Sequence, residues 1–195
     1  MAAKPSSKRA TYADIEALPK NQVGEILFGV LHAHARPALP HTNVASALGM
    51  ELGGPFHSGR GGPGGWLILD EPELHLGPDP DVVVPDLAGW RRARMSTVPA
   101  KPFLTMPPDW VAEIVSPSTE AEDRGEKMTI YARERVPHAW LVDPLIRTLE
   151  VFRLDGDTWR MIKTWHGDVK VRAEPFDAIE LDLALLWEAL PPPSE

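Results

Sequence analysis

The sequence predicts an α/β domain with a mixed central sheet, flanking helices and additional antiparallel strands. Three observations carry this expectation. Short runs rich in valine, isoleucine and tryptophan, bounded by proline and glycine, read as strands. One polar helix after Thr119 stands between two of these runs, "WVAEIV" and "AWLVD", the strand-to-helix return that a mixed sheet uses. The chain has 195 residues, enough for one compact domain with one core.

Residues 1–10 read as a disordered leader, 11–190 as a single domain and 191–195 as a tail. Thr11 caps a short helix in which Tyr12, Ile15 and Leu18 recur at helical spacing, and Pro19 ends it. "QVGEILFGVLHAHA" reads as two strands bent near Gly29. After Pro40, "HTNVASALGMEL" reads as a helix with Val44, Leu48 and Leu52 along one stripe. The 13-residue "GGPFHSGRGGPGG", with seven glycines and two prolines, predicts an irregular loop. It lacks a Gly-Lys-Ser/Thr ending, which excludes a phosphate-cradling loop of that type. From Trp66 the pattern turns to strands: "WLIL", "ELHL", "DVVVPDL" and, beyond the connection from Pro99 to Pro108, "WVAEIV". Together these are expected to form the central sheet. Thr119, with Glu122 three residues on, reads as a capping box opening a helix through Asp123, Lys127, Met128 and Tyr131. "AWLVD" and "LEVFRL" pair across "PLIR", and "DGD" is a hairpin turn into "TWRMIKTW". "VKVRAE" follows. "LDLALLWEAL" reads as a short amphipathic helix closed by Pro191 to Pro193.

A composition of 43% hydrophobic and 25% charged residues is ordinary for a soluble globular fold. The absence of cysteine excludes a disulfide framework and thiolate metal ligation, and is compatible with a reducing cytoplasm. No segment approaches the roughly 18 apolar residues of a membrane span. The expectation is a soluble cytoplasmic protein with no membrane partner. The formal net charge of −8 argues against generic nucleic-acid binding, because phosphate contacts need local positive charge. Two local basic clusters remain: Arg91, Arg92 and Arg94, and then Arg124, Lys127, Arg133 and Arg135. A solvated, salt-paired surface is the alternative reading of each.

Asp86 in "VVVPD" and Glu113 in "WVAEIV" place two carboxylates among valines and isoleucines, with Lys127 following in the polar helix. Burying such groups costs several kcal/mol unless something compensates, and a bound cation compensates two converging carboxylates. Hard oxygen donors without sulfur favour magnesium or manganese. Alternation along the strand points Glu113 and Val115 to one face and Ile114 to the other. Asp86 alone could start a turn, and Lys127 alone could pair with Asp123 one helical turn back. Tyr131 reads as core packing. Glu25 reads as a solvent-facing strand residue, with a role as an additional acid beside the site as the alternative. His41 reads as a cap-region residue or a substrate contact. His32 and His34 share a strand face and mimic a zinc pair, but the sequence offers no third ligand.

The ordered residues Pro85-Asp86, Glu113, Val115-Ser116-Pro117-Ser118-Thr119, Asp123, Lys127, Tyr131, Val136-Pro137 and Trp140-Leu141-Val142-Asp143-Pro144 resemble a known family. It is the bacterial restriction-endonuclease-like family of the Uma-like, domain-of-unknown-function type, within the PD-(D/E)XK nuclease superfamily. Weaker matches extend the resemblance through "TYADIEALP", "GEILFGVL", His41 and "LDLALLW". The resemblance implies a restriction-endonuclease-like sheet flanked by helices, with Asp86 and Glu113 as metal ligands and Lys127 as the displaced counterpart of the motif lysine. It further implies a magnesium- or manganese-dependent endonuclease acting on DNA, with a homodimer as the usual way to engage both strands. Two departures stand out. Arg135 occupies the place of a glycine after the helix, and His138 that of an acidic residue. A non-catalytic module binding nucleic acid or protein, and a phosphoesterase acting on RNA or nucleotides, are the rival readings.

Overall fold

The computed structural model describes residues 9–192. The bulk of the expected leader and tail lies outside them, but Arg9 and Ala10 are held: the Ala10 N–H donates to the Gly29 carbonyl, and Arg9 to that of Asp79. Helix α1 (Tyr12–Glu16) opens at Thr11, whose N–H and hydroxyl both donate to Asp14. Strands β1 (Gln22–Leu27) and β2 (Val30–Ala35) form an antiparallel hairpin. Its two-residue turn places Phe28 and Gly29 at φ 51° and 81°, the left-handed pair that matches strand twist.

Helix α2 (Leu39–Leu52) buries Val44, Leu48 and Leu52 as its spacing predicts, with Pro40 inside its first turn. The glycine-rich segment departs from expectation. Gly53–His57 continues α2 as a turn of π-helix because Phe56 drops into the core and anchors it.

Strands β3 (Trp66–Asp70), β4 (Leu74–Leu76), β5 (Asp81–Val83), β6 (Leu87–Arg91) and β7 (Trp110–Ile114) follow. They do not make one sheet. β4 and β5 join the first hairpin in a four-stranded sheet ordered β2-β1-β5-β4, while β3, β6 and β7 belong to a six-stranded sheet. "DVVVPDL" is therefore two strands. Pro85 has no N–H to continue a ladder, and the Val84 N–H leaves it for the Glu25 carboxylate at 2.7 Å. A turn of π-helix over Glu122–Lys127 leads into α3 (Met128–Arg133). The expected capping box does not form, since the Thr119 hydroxyl donates to Asp123 at 2.7 Å. β8 (His138–Asp143), β9 (Thr148–Asp155) and β10 (Thr158–His166) complete the large sheet in the order β10-β9-β8-β7-β6-β3. β7 and β8 are parallel and the other neighbours antiparallel, so the sheet is mixed. At the C-terminal end the expected helix shortens to α4 (Ala184–Trp187), because Leu181–Asp182 (β12) pairs with Lys170–Val171 (β11).

The large sheet separates two cores. On one face α2, Phe56, Phe176 and α4 pack over Trp66, Trp110, Ile114 and Trp140. On the other, the small sheet and α3 pack over Leu67, Trp90, Val111, Val115 and Leu141. A Cβ on Gly89 would meet the rings of Trp66 and Trp110 at 3.2 Å each, and Phe176 packs tilted against the first and edge-on to the second. Gly89→Ala is therefore expected to cost about 1 kcal/mol by overpacking, a fall of about 2–4 °C in Tm for a chain of this size, checked by thermal unfolding.

Candidate metal centre

Alternation along β7 sends Val111, Glu113 and Val115 to the face shared with the small sheet, and Ala112 and Ile114 to the other. Glu113 thus points between the two sheets. It is 1% exposed and Lys127 is 3% exposed. Tyr131 donates its hydroxyl to Glu113 Oε1 at 2.5 Å, and Lys127 Nζ donates to Oε2 at 2.8 Å. The ammonium also lies 3.3 Å from Asp123 Oδ1 and 3.4 Å from Glu25 Oε1. Its remaining contact is the Val84 carbonyl at 3.4 Å.

Asp86 sits in the Val84-Pro85-Asp86 link between β5 and β6, not within a strand. Its Oδ2 accepts the Ile114 N–H at 2.6 Å and its Oδ1 faces His41 Nε2 at 3.2 Å. Asp86, Glu113, Asp123, Glu25, Lys127 and His41 all line one cleft of about 520 Å³. Three of these carboxylates, Glu113, Asp123 and Glu25, meet the one ammonium, and Asp86 and Glu71 add to the acids of the lining. Burial drives the Glu113 pKa well above the ordinary carboxyl value; Lys127 opposes the rise, while Asp123, Asp86 and Glu25 add to it. Burial also raises Asp123 against the pull of Lys127 and Thr119. For Lys127 burial works the other way, yet the surrounding acids, Glu113 foremost, overcome it and keep the ammonium charged. Tyr131, raised well above the ordinary phenol by burial and then by Glu113, stays a proton donor. Burial disfavours charge on His41, but Asp86 outweighs it and the net shift is upward.

Several sequence readings change here. Tyr131 is more than packing, because its hydroxyl fixes one oxygen of Glu113. Glu25 does not face solvent: β1 lies inside the small sheet, and its side chain is buried against Lys127 and Val84. Asp123 pairs with Lys127 inside the cleft and not on a solvated helix face. His41 is the partner of Asp86. The spacing Asp123, Lys127, Tyr131 at four-residue steps carried the signal for a shared face; for Glu25 it is the alternative reading, an acid beside the site, that matches its place.

The basic clusters are largely paired. Arg94 binds Asp109, Arg91 lies over the Trp66 ring, Arg124 binds Glu120 and Glu150, Arg133 binds Asp81 and Glu134, and Arg135 binds Asp157. Arg36 is different. It is exposed on the cleft wall and, among the described residues, has no ion pair. Arg135, just past α3, takes φ 62°, the left-handed conformation for which a helix exit favours glycine.

Residues 10–185 match the model of the Uma2 family, described as "Putative restriction endonuclease". The fold is similar to the crystal structure of a putative nuclease belonging to DUF820 from Anabaena variabilis, with a TM-score of 0.73 and 18% identity over 92% of this chain and 98% of that one. No curated protein matches the chain.

Proposed function

The chain belongs to the Uma2 family, and we propose that it is a divalent-metal-dependent endonuclease that hydrolyses phosphodiester bonds in DNA through Asp86, Glu113 and Lys127, a PD-(D/E)XK-type arrangement with a displaced lysine. One observation carries the reading: three carboxylates, Glu113, Asp123 and Glu25, surround a single buried ammonium, and Asp86 lines the same open cleft. That excess of negative charge, offered entirely by hard oxygens, fits magnesium or manganese.

Asp86 and Glu113 would hold the cation. The Ile114 N–H points at Asp86, and a residue in a strand directs its N–H and C=O to the same edge, so the Ile114 carbonyl is a third oxygen on that side. When bound, the cation supplies Lewis acidity towards a scissile phosphate and an attacking water. Tyr131 and Lys127 each fix one oxygen of Glu113, which removes the freedom of the carboxylate to turn away. Lys127 keeps its proton at Nζ and offsets charge that develops on the phosphate. Asp123 and Glu25 secure that protonation. Arg36 on the wall would contact a neighbouring phosphate.

The decisive assay incubates the purified protein with supercoiled DNA, single-stranded DNA and RNA, with magnesium, manganese or chelator. Metal-dependent nicking of DNA, lost in Asp86→Asn together with a fall in magnesium affinity by calorimetry, is the expected result. The pairing of most arginines and the net charge of −8 favour a second reading, a phosphoesterase on RNA or nucleotides. Cleavage confined to those substrates would select it, and binding without cleavage under every metal condition would select a non-catalytic module. We extend the proposal to a cytoplasmic protein that meets duplex DNA as a two-fold dimer; among the described residues no helix is long and apolar enough to cross a membrane.

A further inference from the structure

The sheet face that sends Glu25 into the cleft also carries His32 and His34. His32 lies opposite Glu25 and His34 opposite Val23 in the β1–β2 register, and directly opposed residues of an antiparallel pair share a face. β2 is the outer strand of the small sheet. The π-helical turn passes beside it and divides its acids between two sites: Asp123 turns to Lys127, while Glu122 and Glu126 turn to His32. One ligand atom from each of His32, His34 and Glu122 lies within 4.8 Å of the others, the group of this kind found among the described residues.

We infer that His32, His34 and Glu122 form a binding site for zinc or a similar borderline transition cation, separate from the carboxylate centre. Two imidazoles and one carboxylate are a donor set suited to zinc and poor for magnesium. His32 Nδ1 and Glu122 Oε1 are 3.6 Å apart, close to the spacing of two donors on one zinc with bonds of about 2.0–2.1 Å. The remaining donor needs to approach by at most about 1.5 Å to complete that geometry, which side-chain rotation on a strand and a half-exposed helix face allows. A second observation points the same way. Metal-bound histidines give their other ring N–H to a carboxylate, and Glu126 Oε2 stands 3.6 Å from His32 Nε2. The Nε2 atoms of both histidines are buried and have no hydrogen-bond partner. The fourth position is left to water on the cleft side, which His34 lines. Occupancy would tie the outer strand of the small sheet to the turn that carries Asp123 and Lys127.

The test titrates the chelator-stripped full chain with zinc chloride by calorimetry, and with cobalt(II) by its visible absorption. The expected result is one zinc per chain, retained in excess magnesium. His34→Ala and Glu122→Gln should weaken zinc by more than about 100-fold, and Glu126→Gln by about 10–100-fold, the usual effect of removing a carboxylate behind a ligating histidine. Asp86→Asn should leave zinc affinity unchanged. Glu122 is partly exposed, so Glu122→Gln decides the matter if His34→Ala does not fold. Wild-type zinc affinity in Glu122→Gln overturns the inference, as does loss of zinc binding in Asp86→Asn, which would assign the zinc to the carboxylate cleft. Failure of the wild type to bind zinc also overturns it.

Discussion

Replacing Lys127 by methionine is expected to lower the unfolding free energy at neutral pH in chelator by about 3–5 kcal/mol, the usual cost of removing one partner from a buried ionic group. Methionine keeps the unbranched apolar stem at nearly the same length, so the loss is chiefly electrostatic. Glu113, Asp123 and Glu25 would then crowd together with no cation among them. The pH dependence fixes the cause. Glu113 and Asp123 already have raised folded pKa values, so their contribution to stability is present below the unfolded carboxyl values and is lost as pH rises through the folded ones. Without Lys127 both rise further, so the deficit of the variant should deepen from pH 5 to pH 8. Lys127 itself is raised above the ordinary lysine value; its contribution is complete below that value and is lost as pH rises from there through the folded pKa, leaving the wild type unaffected by lysine titration in this window. Urea unfolding at the two pH values checks this. An equal loss at both would show that packing, not charge, is what Lys127 supplies.

Glu113→Gln should abolish metal-dependent cleavage while leaving the fold intact. The amide keeps the shape of the side chain and its place beside Tyr131 and Lys127, but removes the negative charge that would hold the cation. A loss of roughly 4 kcal/mol of charge stabilisation corresponds to about a 10³-fold fall in rate. In chelator the variant should be as heat-resistant as the wild type or more so, because one of four mutually repelling carboxylates has gone. A variant that cleaves at the wild-type rate would remove Glu113 from the mechanism. One that unfolds at ambient temperature would make Glu113 a structural residue.

Much of this site was legible because alternation is a strict rule. Val111, Glu113 and Val115 had to share a face, and a carboxylate between two valines had to find partners. The helix beyond Thr119 was equally legible, as was the pairing of its Asp123 and Lys127. What pattern could not convey was which sheet each strand joins. "ELHL" and "DVVV" read as continuations of the central sheet because a strand carries no mark of its distant neighbour; the break depended on Pro85 and on the Val84 N–H turning to Glu25. Glu25 was misjudged for the same reason, since a hairpin seen alone has a wet face, and only the packed α3 side makes that face dry. Tyr131 looked like core because a buried phenol and a buried phenylalanine leave the same helical trace. The hydroxyl mattered only once Glu113 stood 2.5 Å away.

Lys127 touches both sheets at once, reaching Glu25 on β1 and Glu113 on β7. Within the region described by the cleft, that ammonium is the polar tie between two layers otherwise joined by apolar contact and the short Val84-Pro85-Asp86 link. Opening the small sheet as a unit would therefore expose the acids and release the lysine together. Amide hydrogen exchange should report this directly: the β1 and β2 amides ought to exchange as one cooperative group, to slow when a cation occupies the carboxylates, and to quicken in Lys127→Met while the β8 and β9 amides hold their protection. The site's chemistry and the joining of the two sheets would then draw on a single charge.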